Sequence, residues 1–199
     1  KRPGIILVTG AMGAGKTTVA SSVIAEYIRL YGGLGFTVED PPELPLDGVY
    51  NTISGKSGVI LQCPVETTYA ASMSHLVRQQ SRYLFVGEIA SAEVASEVIK
   101  AGAVGHSVIT TLSASSIEDA GTQLIAMSGS GEPRETLAQA LQAIIHLDRA
   151  GDARTATTLF FDRQHDPQRQ ARAAIHSGRP AGLSAEINRQ KNARAKGEI

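Results

Sequence analysis

The stretch Gly4-Ile-Ile-Leu-Val-Thr-Gly10-Ala-Met-Gly-Ala-Gly15-Lys-Thr-Thr18 decides how the rest of the chain is read. Residues 4–9 are a short apolar run rich in β-branched side chains, and such a run ending at glycine reads as a buried, parallel strand. Residues 10–17 match G-x-x-x-x-G-K-[ST]. The glycines let the backbone wrap closely, so that successive N–H groups converge on phosphate oxygens. Residues 16–30 have helical periodicity (Val19, Val23, Ile24, Tyr27, Ile28), so a helix starts at the loop and adds its positive dipole end. The spacing assigns Ala11, Met12, Gly13, Ala14, Gly15, Lys16, Thr17 and Thr18 to nucleotide binding. Lys16 reaches the β- and γ-phosphates, and the Thr17 hydroxyl is offered to Mg²⁺.

Downstream the same alternation continues. Short strands are expected at 35–38, 58–62, 83–86, 107–112 and 143–147. Helices are expected at 69–80, at 91–103 with Ser91 as N-cap, at 115–127 with a capping box on Ser115-Ser-Ile-Glu118, and at 133–142. The turn Ala150-Gly-Asp152 predicts a hairpin into 155–161, and the polar remainder is expected to be helical and frayed. Strands alternating with helices give an α/β domain with a mainly parallel sheet, whose ligands bind at the carboxyl ends of the strands.

Composition narrows the choice further. The chain has 199 residues, 42% of them hydrophobic, with 19 basic and 19 acidic side chains. Zero net charge excludes a globally basic nucleic-acid binder. Residues 151–199 hold nine Lys/Arg against five Asp/Glu, a net +4, so residues 1–150 carry −4. The lone Cys63 excludes a disulfide framework and a cysteine-based zinc site, and fits a reducing compartment. No apolar run reaches the ~18–20 residues that span a bilayer, and no signal peptide is recognisable. The chain opens at Lys1 only a few residues before a strand, which reads as an excised domain.

Two acidic strand ends are candidates for chemistry beside the loop. The apolar run at 84–87 ends in Glu88, which at the sheet's carboxyl edge would hold Mg²⁺ through water or polarise the attacking water. Thr37-Val-Glu-Asp-Pro-Pro-Glu43 offers Glu39 or Asp40 as the general base, with an ordinary Asp-Pro turn as the alternative. His106 opens the strand that ends at Thr110-Thr-Leu-Ser113. It is a candidate sensor or a structural histidine, and Thr111 and Ser113 are candidates for sensing the γ-phosphate.

Taken together, the set resembles the secretion ATPase superfamily, the hexameric motors of type II secretion, type IV pili and type IV secretion. Four boxes occur in family order: the P-loop at 10–17, an Asp box at 37–43, a Walker B at 84–88 and a His box at 105–116. The resemblance implies a RecA-like P-loop core over 1–161, with a C-terminal hairpin and a helical tail over 162–199 of the same domain. It implies ATP hydrolysis with ATP/ADP and Mg²⁺ as ligands, and the family's N-terminal domain lying outside this chain. Glu39 would be the general base, Glu88 the Walker B acid at the metal, and His106 the first His-box histidine. Arg78 matches an arginine upstream of Walker B. It also implies a homo-hexamer, an inner-membrane platform protein as partner, no direct nucleic acid, and a cytoplasmic location at the inner face of the membrane. The chain departs from the family pattern at Ala90-Ser91, at Ser113 in place of the second histidine, and at Gln80-Ser-Arg82. These departures mark a divergent branch, as in type IVB pilus or conjugation motors. A nucleic-acid translocase and a non-hydrolysing scaffold are the competing functions, and a small-molecule kinase is disfavoured because no arginine-rich lid follows the core.

Overall fold

A computed structural model of the chain describes residues 3–65, 68–79, 81–151 and 153–198. Eight strands form one sheet in the order β3-β4-β2-β5-β6-β1-β7-β8. The central six run parallel: β4 (Gly58–Pro64), β2 (Gly33–Glu39), β5 (Tyr83–Glu88), β6 (Ser107–Ser113), β1 (Gly4–Gly10) and β7 (Leu141–Ala150). At the edges β3 (Gly48–Tyr50) and β8 (Ala153–Phe160) pair antiparallel to β4 and β7. The parallel strands are apolar almost throughout because both faces are covered.

Helix α1 (Lys16–Tyr31) covers one face, packing Ile24 and Ile28 against Val8, Phe85 and Ile109. The opposite face carries α2 (Tyr69–Arg78), α3 (Ala92–Ala103), α4 (Ile117–Ser128), α5 (Glu132–Ala140), α6 (Gln170–His176) and α7 (Leu183–Ala195). Its core joins Leu7, Leu84 and Ile144 of the sheet to Val98, Leu124, Leu137, Ile175 and Leu183. Burying these side chains, at roughly 1.5–3 kcal/mol each, is the main term holding the layers together.

The expected N-cap at Ser91 forms, its hydroxyl accepting from the Val94 N–H at 3.3 Å. The box before α4 is shifted by one residue. Ser116 caps the helix by accepting from Asp119 N–H, and Asp119 reaches back to the N–H and hydroxyl of Ser115. The last central strand starts at Leu141 and runs to Ala150, longer than the pattern predicts, and α5 ends correspondingly earlier. The expected helix end at Gln80 and the turn residue Asp152 lie outside the described residues.

The basic tail is tied to the core. Arg172 donates to the Gln139 carbonyl at 2.6 Å, to those of Leu141 and Phe161, and to that of Ala138. Arg194 donates to Thr158 O at 2.6 Å and stacks over Phe160, while Gln190 bonds both the N–H and the carbonyl of Phe160. Arg172 and Arg194 thus satisfy carbonyls at the end of α5, the start of β7 and along β8. Among the described residues no helix is long and apolar enough to cross a membrane.

Candidate functional site

The site is built at the carboxyl edge of the sheet, where β1, β2, β5 and β6 end. β1 stops at Gly10, and the loop closes through the Ala14 N–H on Ala11 O at 3.1 Å. Gly15 caps α1 at φ +93°, a left-handed conformation that a side chain would strain. No side chain caps α1 and no acid stands in its first turn. Its first N–H groups are therefore left for an anion. Lys16 lies over the loop, donating to Ala11 O at 3.2 Å. Met12 stands almost wholly in solvent, whereas the Ala14 side chain is buried beneath the loop, leaving only its backbone for a ligand.

A cleft of about 640 Å³ runs from the loop to the strand ends. Met12, Gly13, Gly15, Lys16, Thr17 and Thr18 line one wall, and Glu39, Asp40, Gly87, Glu88, Thr111 and Ser113 line the other. The two predicted acids therefore share a cleft with the loop. Glu39, at the end of β2, is only 2% exposed and forms no close ion pair among the described residues. Burial pushes its carboxyl above the ordinary range; hydrogen bonds with Thr37 and Gln62 offset this in part. Gln62 of β4 also accepts from Leu46 and Asp47 N–H and donates to Leu44 O, pinning the 40–47 loop beside the site. Glu88 is solvent-facing and accepts from Ser113 Oγ at 2.8 Å. Thr111 donates to Gly87 O at 2.6 Å, where the β5–β6 register slips by one residue and turns Glu88 into the cleft.

His106 is not brought to this site. It precedes β6, and a parallel strand begins at the amino edge of the sheet; seven residues of strand put it about 20 Å from the cleft. There it is buried, bonded through Nδ1 to Ser81 O at 2.6 Å, while its carbonyl accepts from Gly4 N–H. The sensor expectation is corrected on that ground for this chain's own site. Arg78 ends α2 and is exposed away from the cleft.

Two cleft residues were not singled out from the sequence. Arg154 stands on β8 across from Arg149, and its guanidinium lies 3.7 Å from where a Gly15 side chain would begin. Tyr69, the first residue of α2, also lines the cleft. Neither belongs to a local motif; the return of a hairpin and the start of a helix bring them in.

Among the described residues no group of three or more His, Cys, Asp or Glu could cage a metal. Thr17 and Glu88 in one cleft suit a cation that takes most of its ligands from phosphate and water, which is the habit of Mg²⁺ rather than of zinc.

Comparison with known proteins identifies the fold and the family. The chain is 32% identical over 124 residues to the type II secretion system protein HxcR of Pseudomonas aeruginosa, covering 62% of this chain and 25% of that protein. It is 33% identical over 133 residues to the type IV pilus assembly ATPase PilB of Acinetobacter baylyi, covering 62% and 20%. The chain thus spans about a quarter or less of these relatives' length. Its fold matches the ATPase DotB of Legionella pneumophila with a TM-score of 0.77 at 22% identity, over all of this chain and 58% of that one. It matches the pilus retraction motor PilT, solved with bound ADP, with a TM-score of 0.75 at 24% identity, over 96% and 55%. The fold is therefore the RecA-like core of such ATPases. A profile of the family described as "Type II/IV secretion system protein" matches residues 1–195, and the chain belongs to that family.

Proposed function

We propose that this chain is the ATP-hydrolysing motor domain of a pilus, secretion or conjugation machine. The observation that carries the reading is one cleft in which an uncapped helix N-terminus and Lys16 face Glu88 and a buried Glu39 that has no close ion pair among the described residues.

In this reading the polyphosphate lies along the N–H groups of residues 11–18, with the Lys16 ammonium on the β- and γ-phosphates and Arg154 at the outer end. Thr17 and Glu88 would hold Mg²⁺, which supplies charge neutralisation at the phosphate oxygens. Glu39 takes the proton of the attacking water. Its raised pKa makes it a stronger base than an exposed glutamate. Ser113 orients Glu88 through its hydroxyl, in place of the histidine the family carries there. His106 has a structural role, fixing the start of β6 against Ser81. Closure of the cleft between subunits of a homo-hexamer at the inner membrane would then move a platform protein.

The test is phosphate release by the full-length protein. Glu39→Gln and Glu88→Gln should each abolish turnover while leaving ADP binding intact; turnover retained in both sinks the proposal. The second reading, a nucleotide-binding scaffold without turnover, is favoured by Ser113 in the histidine's place, and predicts that even the unsubstituted protein releases no phosphate. A nucleic-acid translocase is disfavoured because Arg172, Arg189 and Arg194 are engaged with backbone carbonyls of the fold.

A further inference from the structure

We propose that the Tyr69 hydroxyl is a catalytic group of this cleft, donating a hydrogen bond to a γ-phosphoryl oxygen in the transition state of hydrolysis. The inference rests on the cleft being an ATP-hydrolysing site and adds a group that no motif of the sequence predicts.

Three observations carry it. First, α2 begins at Tyr69, where Thr68 caps the helix by accepting from Ala71 N–H at 3.1 Å, so the phenol is set at the cleft end of that helix. Second, Tyr69 shares the lining with Glu39, Asp40, Gly87 and Glu88. A Cβ added at Gly87 would come 3.5 Å from the Tyr69 hydroxyl and 3.6 Å from Glu39 Cγ. The missing side chain at residue 87 thus leaves one notch flanked by the phenol and by the proposed base. Third, the hydroxyl is protonated at neutral pH and so can donate. Burial raises its pKa above the ordinary phenol range, and the charges of Asp40, Glu39 and Glu88 raise it further, against a backbone hydrogen bond at Asp40.

The need for such a donor follows from the lining. Glu39, Asp40, Glu43 and Glu88 bring four carboxylates against the cations Lys16 and Arg154. The negatively charged γ-phosphoryl oxygens meet repulsion on the carboxylate side, and a neutral O–H lowers it without adding a counter-charge to screen. Tyr69 takes no proton and forms no bond. Water attacks phosphorus, its proton passes to Glu39, and the bridging Pγ–O bond breaks with its electron pair leaving on ADP.

The experiment is Tyr69→Phe in the full-length protein, which keeps the ring and removes only the hydroxyl. The expected result is a kcat about 10–100-fold lower. KM and the affinity for fluorescent mant-ADP should stay within about twofold, while affinity for ADP–aluminium fluoride falls with kcat. A kcat within about twofold of the parent overturns the assignment, and so does an equal loss of mant-ADP and ADP–aluminium fluoride affinity, which would mark a packing role. Lys16→Ala run alongside separates the two levels. Loss of mant-ADP binding in Lys16→Ala with full kcat in Tyr69→Phe overturns the Tyr69 role alone, whereas binding retained in Lys16→Ala overturns the cleft reading and this inference together.

Discussion

Two glutamates in this molecule are almost equally buried and could hardly be held more differently. Glu186, on α7, is 1% exposed and is gripped by Arg189 at 2.5 and 2.7 Å and by Gln190 at 2.8 Å. Arg189 in turn donates to the His165 carbonyl, and the nearby buried Asp166 caps α6 by accepting from Gln170 and Ala171 N–H. Glu39, 2% exposed, has Gln62 at a long 3.4 Å and no close ion pair among the described residues. Burial with a forked cation holds a carboxylate as a structural anion; burial without one leaves it under electrostatic strain beside a phosphate cradle. Burial alone therefore does not mark a candidate acid, and the partner holding the carboxylate is what separates the two.

The comparison breaks most visibly through substitution of the two acids. Glu39→Gln should lower kcat by about 10²–10⁴, the range for a lost general base, with ADP binding unchanged. Glu186→Gln should leave kcat within about twofold, and phosphate release measured on both variants decides between them. Equal losses would mean that the cleft does not distinguish these acids.

Stability should move the other way. Because the Glu39 pKa is raised in the folded state, its folded carboxyl favours the proton. Its relative contribution to stability is present below the unfolded pKa and is lost as pH rises through the folded one. At neutral pH Glu39→Gln should therefore raise Tm, by about 2–4 °C for each ~1 kcal/mol relieved. Glu186→Gln strands the Arg189 fork and should cost about 1–3 kcal/mol. Thermal melts at pH 7 check both signs; a Tm that falls in Glu39→Gln contradicts the strain.

The pH profile sharpens the same point. If Glu39 must be ionised to accept the water proton, kcat falls on acidification at a pH above that of an exposed glutamate. A limb at the ordinary carboxylate pH would assign the base to another group.

The smallest effect is expected at the other end of the sheet. His106→Asn should cost about 1 kcal/mol through the Ser81 contact and leave kcat within about twofold. A tenfold loss of kcat would restore the sensor role.

How much of this was readable beforehand depends on the range of the interaction. The loop, its strand and its helix are local, and so are the apolar strand runs and the Ser91 cap; all were legible. β3 was missed because three residues carry no period, and only pairing with β4 makes them a strand. Arg154 falls with the tail's charge by its position in the sequence, while in space its guanidinium lies beside Gly15. His106 was misplaced for a reason the sequence did contain: a residue opening a parallel strand cannot stand at the edge where its partners end.

By itself, then, the sequence determined the glycine-rich loop between strand and helix, the α/β layering and the family, and it singled out two candidate acids, because each follows from spacing over a few residues or from residue type. The tertiary structure alone decided which acid is buried without a close ion pair. It also decided that the tail's arginines close helix and strand ends, and that Tyr69 and Arg154 enter the cleft. Those facts depend on strand order and direction, which set neighbours that are distant along the chain, and a pattern of a few residues carries no record of them.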